Sequence, residues 1–173
     1  KLRCAPEESH PGGGGINVSR IIHNLGGESI AVFPCGGYTG DRLEQLLVNE
    51  DLTIHTIPVS SHTRQSFSVH ETSSGKDFRF LLPGHVLSQE IAQTCLEYIR
   101  NLKSKPRFIV ASGSLPPGVE ENFYAVVSKI AQALDCLFVL DTSGPALAHA
   151  AIFPSALWAL DAAAHREKPV ARA

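Results

Sequence analysis

Methionine is missing from this 173-residue chain, and no apolar run approaches the roughly 18 residues that a membrane-spanning helix needs. The first residues, Lys1 to Pro6, also lack the apolar core of a secretory signal peptide. These absences predict a soluble, cytoplasmic protein that binds no membrane. Because the chain opens at Lys1 without methionine, we also expect a fragment of a longer protein. A mature chain that has lost its initiator and contains no other methionine is the alternative.

An excess of charge of either sign is lacking too. The chain has 15 Lys and Arg residues against 17 Asp and Glu residues, a formal net charge of −2. The two signs are mixed along the chain, so no basic stripe is available for a nucleic acid. We therefore expect no nucleic-acid partner, and any site for an anion has to be local.

Cysteine and histidine pairs at metal-ligand spacing are also absent. The four cysteines lie far apart with no Cys-x-x-Cys pair, and the eight histidines match no ligand spacing on a helix. We interpret the cysteines as core thiols, and we predict neither a disulfide framework nor a metal site built from protein ligands. The cysteines are Cys4, Cys35, Cys95 and Cys136.

What the chain does contain is an alternation of short apolar segments with amphipathic ones. With 43% hydrophobic residues, its length suits one compact domain. Apolar residues from Val18 to Leu25 recur at helical spacing before Gly26, and Asp41 with Glu44 has the spacing of a capping box that opens a second helix. The alternation predicts an α/β fold with a mostly parallel sheet flanked by helices. The other predicted elements are helices at about 88–102 and 123–134 and strands at 30–34, 53–59, 108–111 and 137–141. Of these strands, 30–34 is expected to be buried, and the last two are expected to be fully buried.

Two segments with alternating polarity interrupt this order. Over residues 64–71, apolar and polar side chains alternate, and a turn-forming stretch leads to a second apolar segment at 78–82. The pattern predicts a β-hairpin with one apolar and one polar face, which we interpret as a lid. Arg64 shares the polar parity of the first hairpin strand.

The last part of the chain has a different composition. Eleven of the twenty-eight residues from Ala146 to Ala173 are alanine, and the pattern predicts no clear strand after Asp141. A helix start is indicated near Pro145, and the end of the chain is typical of a frayed tail.

Three places could bind a ligand. The glycines Gly12–Gly15 precede the first helix beside Asn17, where backbone N–H groups favour an anion or a hydroxyl; a flexible loop is the alternative. Arg64 can bind phosphate oxygens in bidentate fashion, although an exposed arginine is more often solvated surface. Ser112–Ser114 forms a polar turn at the carboxyl end of a buried strand, where open α/β sheets bind ligands; a tight connection is the alternative.

Together these motifs resemble those of the PfkB (ribokinase-like) carbohydrate kinases, in order and in spacing, over about residues 1–147. Within that family, Thr63-Arg64-Gln65 and the residues from Lys1 to Cys4 resemble the 6-phosphofructokinase branch. The resemblance implies a partial kinase domain at 1–147, with a core at about 12–60 and 84–147 and lid strands at about 1–10 and 61–83, followed by a divergent tail at 148–173. The matching motifs lie at Pro11–Arg20, Leu25–Gly27, Gly36–Gly40, Thr63–Gln65, Phe78–Gly84 and Ser112–Gly118.

The resemblance also implies roles for individual residues. Gly13, Gly14 and Asn17 would hold sugar hydroxyls and Arg64 the substrate phosphate. Ser114 would line the sugar pocket, and Lys1 would reach the bound substrate or nucleotide from the lid edge. The reaction would transfer the γ-phosphate of ATP, with Mg²⁺, to the primary hydroxyl of fructose 6-phosphate; tagatose 6-phosphate and fructose 1-phosphate are alternative substrates. The lid pairs between subunits in this family, so a homodimer is expected.

Some of the family's parts are not found in this sequence. The resemblance implies that the first strand precedes Lys1 and that the nucleotide-binding loops and the general-base Asp follow the present end, so we expect a domain truncated at both ends. We assign no catalytic residue, and Asp141 is expected to line the pocket or cap a turn. A catalytically inactive fragment that binds sugar phosphate or dimerises is therefore a second hypothesis. A dinucleotide-binding domain is disfavoured, since no strand precedes the glycine run.

Overall fold

The computed structural model describes residues 4–150 and the backbone of residues 156–160. The chain divides into two compact units, Lys1–Pro83 and Gly84–Ala173, which we call unit 1 and unit 2. Lys1, one of the predicted substrate-binding residues, lies outside the described residues. No helix within the described ranges is long and apolar enough to cross a membrane.

Unit 1 begins with helices that alternate with parallel strands. Its first four elements are α1 (Gly14–Asn24), β1 (Ile30–Cys35), α2 (Gly37–Asn49) and β2 (Thr53–Pro58). The two strands pair in parallel from Ile30↔Thr53 to Cys35↔Pro58, as the alternation predicts. β1 was expected to be buried, but Ile30 and Val32 are exposed. The buried residues of the core that joins these elements are Ile16, Ala31, Leu47 and Leu52.

Helix α1 forms where the periodicity predicts a helix, but it buries different residues. Ile16 and Ser19 are buried, whereas Ile21 and Leu25 of the predicted apolar stripe are 59% and 82% exposed. In this orientation of the helix, Arg20 contacts Glu50 at the end of α2. Arg20 donates two hydrogen bonds of 2.5 and 2.8 Å to the Glu50 carboxylate. The periodicity therefore identifies the helix but not the side of it that is buried.

Helix α2 begins four residues earlier than the capping-box pattern predicts. Its N-cap is Gly36, and no side chain caps the helix, so the predicted cap at Asp41 is wrong. A Cβ on Gly36 would stand 2.0 Å from the carbonyl oxygen of Val59 and 2.6 Å from that of Ser61. The helix therefore starts where close contact with the chain after β2 allows only glycine.

A β-hairpin follows, made of β3 (Ser66–Glu71) and β4 (Lys76–Leu81). The antiparallel register sets Phe67 opposite Phe80 and Val69 opposite Phe78, so these four side chains share one face. The rings of Phe67 and Phe80 stack with their centroids 4.7 Å apart. The predicted hairpin and its apolar face are confirmed.

Arg64 does not belong to the first hairpin strand, which starts only at Ser66. The N–H of Thr63 donates to the carbonyl oxygen of Gly36 at 2.9 Å, and Thr63 Oγ1 accepts from the Gly36 N–H at 3.1 Å. The predicted strand position of Arg64 is therefore wrong, because the preceding residue is bonded to the turn after β1 instead of to the hairpin partner.

Unit 2 continues the alternation of strands and helices. Its elements are α3 (Gln89–Arg100), β5 (Phe108–Ser112), α4 (Phe123–Ala133), β6 (Leu137–Thr142), α5 (Gly144–Ala150) and β7 (Ala156–Leu160). The three strands form a parallel sheet in the order β5-β6-β7. Its core packs β6 against α4, with Phe138, Leu140, Val127 and Ala131 almost completely buried.

Two expectations about the strands of unit 2 are wrong. β7 pairs with β6 from Phe138↔Ala156 onward, although the pattern predicts no strand after Asp141. The alanine-rich sequence of this segment is not typical of a strand, because alanine is a weak strand former. β7 forms nevertheless, since the hydrogen bonds to the buried strand β6 come from the backbone. β5 and β6 were both expected to be fully buried, yet their first residues, Phe108 and Leu137, are exposed. The Arg107 guanidinium lies 5.6 Å from the ring centroid of Phe108. β5 lies at the edge of the three-stranded sheet, so no strand among the described residues of unit 2 pairs with its other side.

Candidate functional site

The glycine run was expected to precede the first helix, but its last two residues, Gly14 and Gly15, begin α1. The run therefore forms the N-terminus of this helix. Gly13, the N-cap of α1, has a φ of 116°, which favours glycine, and no side chain caps the helix. A Cβ added to Gly12 or Gly15 would have no atom from outside the local turn within 4 Å. The first N–H groups of a helix have no partner within the helix, so this terminus can donate hydrogen bonds to oxygen atoms of a ligand.

Asn17 lies on the first turn of the same helix. Its backbone N–H donates to the carbonyl oxygen of Gly13 at 2.9 Å, and its side chain is exposed. The structure therefore brings Gly13, Gly14 and Asn17 to one end of α1, with the neighbouring Ile16 buried beneath them. Their role in holding sugar hydroxyls stays a prediction.

The backbone before Arg64 is held by Thr63. In addition to its two hydrogen bonds with Gly36, the carbonyl oxygen of Thr63 accepts a 2.7 Å hydrogen bond from Thr39 Oγ1. The side chain of Arg64 is exposed. This arrangement is suited to binding a phosphate. Because the backbone is already held in place, binding would restrict only the side chain of Arg64.

Sequence reasoning missed Thr63 and Thr39 as supporting residues. Both lie in the motifs Thr63-Arg64-Gln65 and Gly36–Gly40, but the motifs do not indicate that the two contact each other. Cys35 lies beside this contact and accepts a hydrogen bond from Thr63 Oγ1 at 3.6 Å. Burial raises the pKa of the Cys35 thiol, although this hydrogen bond lowers it in part. Cys35 is therefore a neutral core thiol, as the sequence predicts. Cys4 was also expected to be a core thiol, but it is exposed, so that expectation is wrong.

The polar turn Ser112–Ser114 lies at the carboxyl end of β5, held by Asp141 of β6. Ser112 Oγ donates to the Asp141 carboxylate at 2.8 Å, and the Gly113 N–H donates to the Asp141 carbonyl oxygen at 2.9 Å. Ser114 is exposed at the tip of the turn. Both oxygen-bearing groups of Asp141 are thus engaged in holding the turn, which supports the structural role expected for this residue.

Two further residues hold the same turn from within the core. Tyr124 OH and Thr142 Oγ1 both donate to the carbonyl oxygen of Gly113, at 2.7 and 2.9 Å. Burial raises the pKa of Tyr124 to about 12, and the negative charge of Asp141 adds to the effect, so the hydroxyl keeps its proton. The sequence identifies Tyr124 only as a position inside α4, and no motif indicated either residue.

The candidate residues thus belong to three separate local sites: the N-terminus of α1, the segment at Arg64 and the turn Ser112–Ser114. Each site is held by its own contacts. Gly13, Gly14, Asn17 and Arg64 belong to unit 1, and Ser114 belongs to unit 2. Among the surface depressions of unit 2, one of about 680 Å³ is lined by residues near the amino ends of β5 and β6, including Arg107 and Leu137. That is the opposite end of the strands from Ser114.

Known proteins similar to this chain include enzymes that act on sugar phosphates. The ATP-dependent 6-phosphofructokinase isozyme 2 of Mycobacterium tuberculosis is 45% identical over 149 residues, which is 86% of this chain and 44% of that protein. The Escherichia coli protein of the same name is 40% identical over 150 residues, 87% of this chain and 48% of that protein. The D-tagatose-1-phosphate kinase of Bacillus licheniformis is 31% identical, covering 84% and 46% of the two chains. The chain spans less than half the length of these curated relatives.

Solved structures of similar proteins have the same fold. Phosphofructokinase-2 from E. coli in complex with fructose-6-phosphate aligns with a TM-score of 0.79 at 40% identity, covering 86% of this chain and 49% of that chain. The tetrameric inhibited form of the same enzyme aligns with a TM-score of 0.84 at 39% identity, covering 92% and 53%. Residues 2–160 match the model of the pfkB family of carbohydrate kinases. The chain therefore belongs to the pfkB carbohydrate kinase family and has its ribokinase-like α/β fold.

Proposed function

We propose that this chain is the sugar-phosphate-binding part of an ATP-dependent 6-phosphofructokinase, with fructose 6-phosphate as the phosphoryl acceptor. The observation that carries the proposal is the arrangement at Thr63, where three hydrogen bonds to Gly36 and Thr39 hold the backbone that bears the exposed Arg64. This arrangement would suit a substrate that already carries a phosphate. The similarity to 6-phosphofructokinases of two organisms supports the same choice.

Each place would contribute one kind of contact. The Arg64 guanidinium would bind the 6-phosphate through two parallel charge-assisted hydrogen bonds. The amides at Gly13 and Gly14 and the side chain of Asn17 would bind sugar hydroxyls, and Ser114 would bind another oxygen of the substrate. These contacts would orient the primary hydroxyl for in-line transfer, a reaction whose catalysis depends mainly on positioning and charge stabilisation.

MgATP would supply the phosphoryl group in the complete kinase. In the described part of the chain, no group of three or more His, Cys, Asp or Glu side chains could hold a metal ion. We therefore assign no residue of this chain to MgATP. We also assign no general base, because Asp141 is engaged with Ser112 and Gly113. A cytoplasmic location is proposed with this function, since its substrates are found there.

Binding of fructose 6-phosphate by the purified chain, measured by isothermal titration calorimetry, tests the proposal. Replacement of Arg64 by Ala should weaken binding by about tenfold or more, because a charged hydrogen-bonding partner is lost. Arg64→Lys should recover only part of this loss, since an ammonium group lacks the bidentate geometry. Arg100→Ala, which removes an exposed arginine from the last turn of α3, is the matched control. Equal affinity in the wild-type chain and in Arg64→Ala would contradict the role of Arg64.

The same titration distinguishes the sugars. Fructose 6-phosphate should bind more tightly than fructose 1-phosphate or tagatose 6-phosphate. A preference for either alternative would keep the proposed kinase class and change the proposed substrate.

Release of ADP from MgATP, measured with and without fructose 6-phosphate, tests whether this chain acts as an enzyme. A full-length relative serves as the positive control. Sugar-dependent release would support an active kinase. A folded chain that binds the sugar phosphate without turnover would support the second hypothesis, a non-catalytic sugar-phosphate-binding or dimerising fragment.

We further propose that the hairpin face of Phe67, Val69, Phe78 and Phe80 forms a homodimer contact. Phe67, Phe78 and Phe80 are exposed, although their side chains lie in register and two of their rings stack. An ordered apolar face of this kind is typical of a protein–protein contact.

Light scattering coupled to size-exclusion chromatography tests the dimer. Phe80→Ser should convert a dimer to a monomer, because it removes an apolar ring from the contact. Arg79→Ser changes the adjacent residue, whose side chain points to the other hairpin face, and should leave the dimer intact. A wild-type chain that is monomeric at high concentration would contradict the proposal.

A further inference from the structure

The peptide group between Gly113 and Ser114 is held from inside unit 2 by two buried hydroxyls. Tyr124 OH and Thr142 Oγ1 donate to the Gly113 carbonyl oxygen at 2.7 and 2.9 Å. Their residues are only 8% and 4% exposed. Buried hydroxyls depend on protein acceptors, so both hydrogen bonds matter to the placement of this carbonyl.

The orientation of the carbonyl determines that of the next N–H. No peptide bond in the described chain is cis, and in a planar trans peptide the C=O and the N–H point in opposite directions. Since the Gly113 carbonyl points to the two buried hydroxyls, the Ser114 N–H points away from them. Among the described residues, this N–H has no hydrogen-bond partner.

The residues before this peptide are fixed as well. The Gly113 N–H donates to the Asp141 carbonyl oxygen at 2.9 Å, and Ser112 Oγ donates to the Asp141 carboxylate at 2.8 Å. Gly113 itself has a φ of 114°, a conformation that favours glycine. The turn is therefore held through three groups of two successive residues, and its free N–H is preorganised rather than mobile.

We propose that Tyr124 and Thr142 are positioning residues that orient the Ser114 backbone N–H as a hydrogen-bond donor to an oxygen of the bound sugar phosphate. The inference rests on the function proposed above and adds the donor atom and the two residues that direct it. A fixed donor binds an acceptor without further loss of backbone freedom, which is the advantage of preorganisation. Tyr124 and Thr142 themselves do not touch the substrate in this proposal.

The first measurement uses the ¹⁵N-labelled 173-residue chain without ligand. The Ser114 amide resonance should move in Tyr124→Phe and in Thr142→Val, because each variant removes one hydroxyl from the Gly113 carbonyl. Thr142→Ser keeps a hydroxyl and should restore the wild-type resonance. Thr94→Val is the matched control, since Thr94 Oγ1 donates to the Glu90 carbonyl oxygen on the exposed side of α3 and should leave Ser114 unchanged.

The second measurement titrates fructose 6-phosphate into the same proteins. In the wild-type chain, the Ser114 amide resonance should move downfield as the ligand saturates. Tyr124→Phe and Thr142→Val should each bind about fivefold more weakly, the effect of weakening one neutral hydrogen bond. Thr142→Ser and Thr94→Val should bind as the wild type does. A purely structural role would lower thermal stability without this change in affinity.

The inference is overturned if the Ser114 resonance is unchanged in both hydroxyl-deleted variants, or if fructose 6-phosphate saturates the wild-type chain without moving it. A folded wild-type chain that does not bind fructose 6-phosphate overturns the proposed function and the donor role together. The ligand-free comparison then still decides whether the hydroxyls orient the peptide. If Thr142→Val does not fold, Tyr124→Phe keeps the aromatic ring in place and provides the same comparison.

Discussion

Two serines illustrate how the contribution of one hydroxyl depends on its partner. Ser128 lies in α4, is 1% exposed, and its Oγ has no hydrogen-bond partner among the described residues. Ser88 is the N-cap of α3, and its Oγ accepts the Ile91 N–H at 3.4 Å. A buried hydroxyl without a partner destabilises the fold, whereas a capping hydroxyl stabilises it.

Replacement of either serine by alanine should therefore change stability in opposite directions. Ser128→Ala should raise the free energy of unfolding by about 1 kcal/mol, because an unsatisfied polar atom is removed and alanine is the better helix former. Ser88→Ala should lower it by about 0.5–1 kcal/mol through loss of the cap. Chemical denaturation of the three proteins measures both values. Destabilisation by Ser128→Ala would indicate that its hydroxyl has a partner after all.

The raised pKa of Tyr124 predicts how the free energy of unfolding changes at alkaline pH. Burial, followed by the negative charge of Asp141, raises the pKa of Tyr124 to about 12, whereas the unfolded chain releases this proton near pH 10. The unfolded state thus binds fewer protons between these values, so the stability that Tyr124 contributes is complete below about pH 10 and is lost as pH rises toward 12.

Guanidinium unfolding between pH 8 and 11 should show this loss in the wild-type chain and a smaller loss in Tyr124→Phe. Burial also raises the pKa of Cys95, to about 11, but that thiol is present in both proteins and its effect cancels in the comparison. Identical pH profiles for the two proteins would contradict the assignment.

At the scale of the elements, the start of α2 is decided by close packing of backbone. A Cβ on Gly36 would stand 2.0 Å from the Val59 carbonyl oxygen, which is far inside van der Waals contact. At Gly15, on the first turn of α1, a Cβ would meet no atom from outside the local turn within 4 Å. The two glycines therefore form a matched pair for the same substitution.

Gly36→Ala should lower the free energy of unfolding by about 2–3 kcal/mol, because the β1–α2 turn has to move away from the chain after β2. Gly15→Ala should raise it by about 0.5–1 kcal/mol, since alanine restricts the unfolded chain. Thermal and chemical denaturation measure both effects. Similar stability of the two variants would show that the contact at Gly36 yields easily.

At the scale of the whole molecule, large apolar side chains are exposed in both units. In unit 1 they include Ile21, Leu25 and Val48, and in unit 2 Phe108 and Leu137. Monomeric soluble proteins seldom expose several such side chains close together. The isolated chain is therefore expected to be marginally stable or prone to aggregation.

Fluorescence of the dye 8-anilinonaphthalene-1-sulfonate measures this exposure. The native chain should bind the dye, and the double variant Ile21→Lys with Leu25→Glu should bind less. Asn24→Lys, a polar change on the same helix, is the control. A single cooperative thermal transition from a soluble dimer that binds no dye would contradict the expectation.

Local sequence patterns are enough to predict the α/β class, the hairpin with its apolar face and the family. Periodicity within α4 and alternation around Phe67 reflect neighbours a few residues away. The glycine run and the Thr63-Arg64-Gln65 motif were visible for the same reason. The roles of Gly13, Gly14, Asn17, Arg64, Ser114 and Lys1, and the division of the chain at residue 147, stay predictions.

Long-range contacts determine which side of α1 is buried, where α2 starts and which residues hold the candidate site, and the sequence does not reveal them. Thr63 bonds to Gly36 across 27 positions, and Thr142 bonds to Gly113 across 29. No local pattern encodes such pairs, since either threonine could satisfy its hydroxyl with water in another fold. The contacts appear only when folding brings strand ends together and excludes water from them.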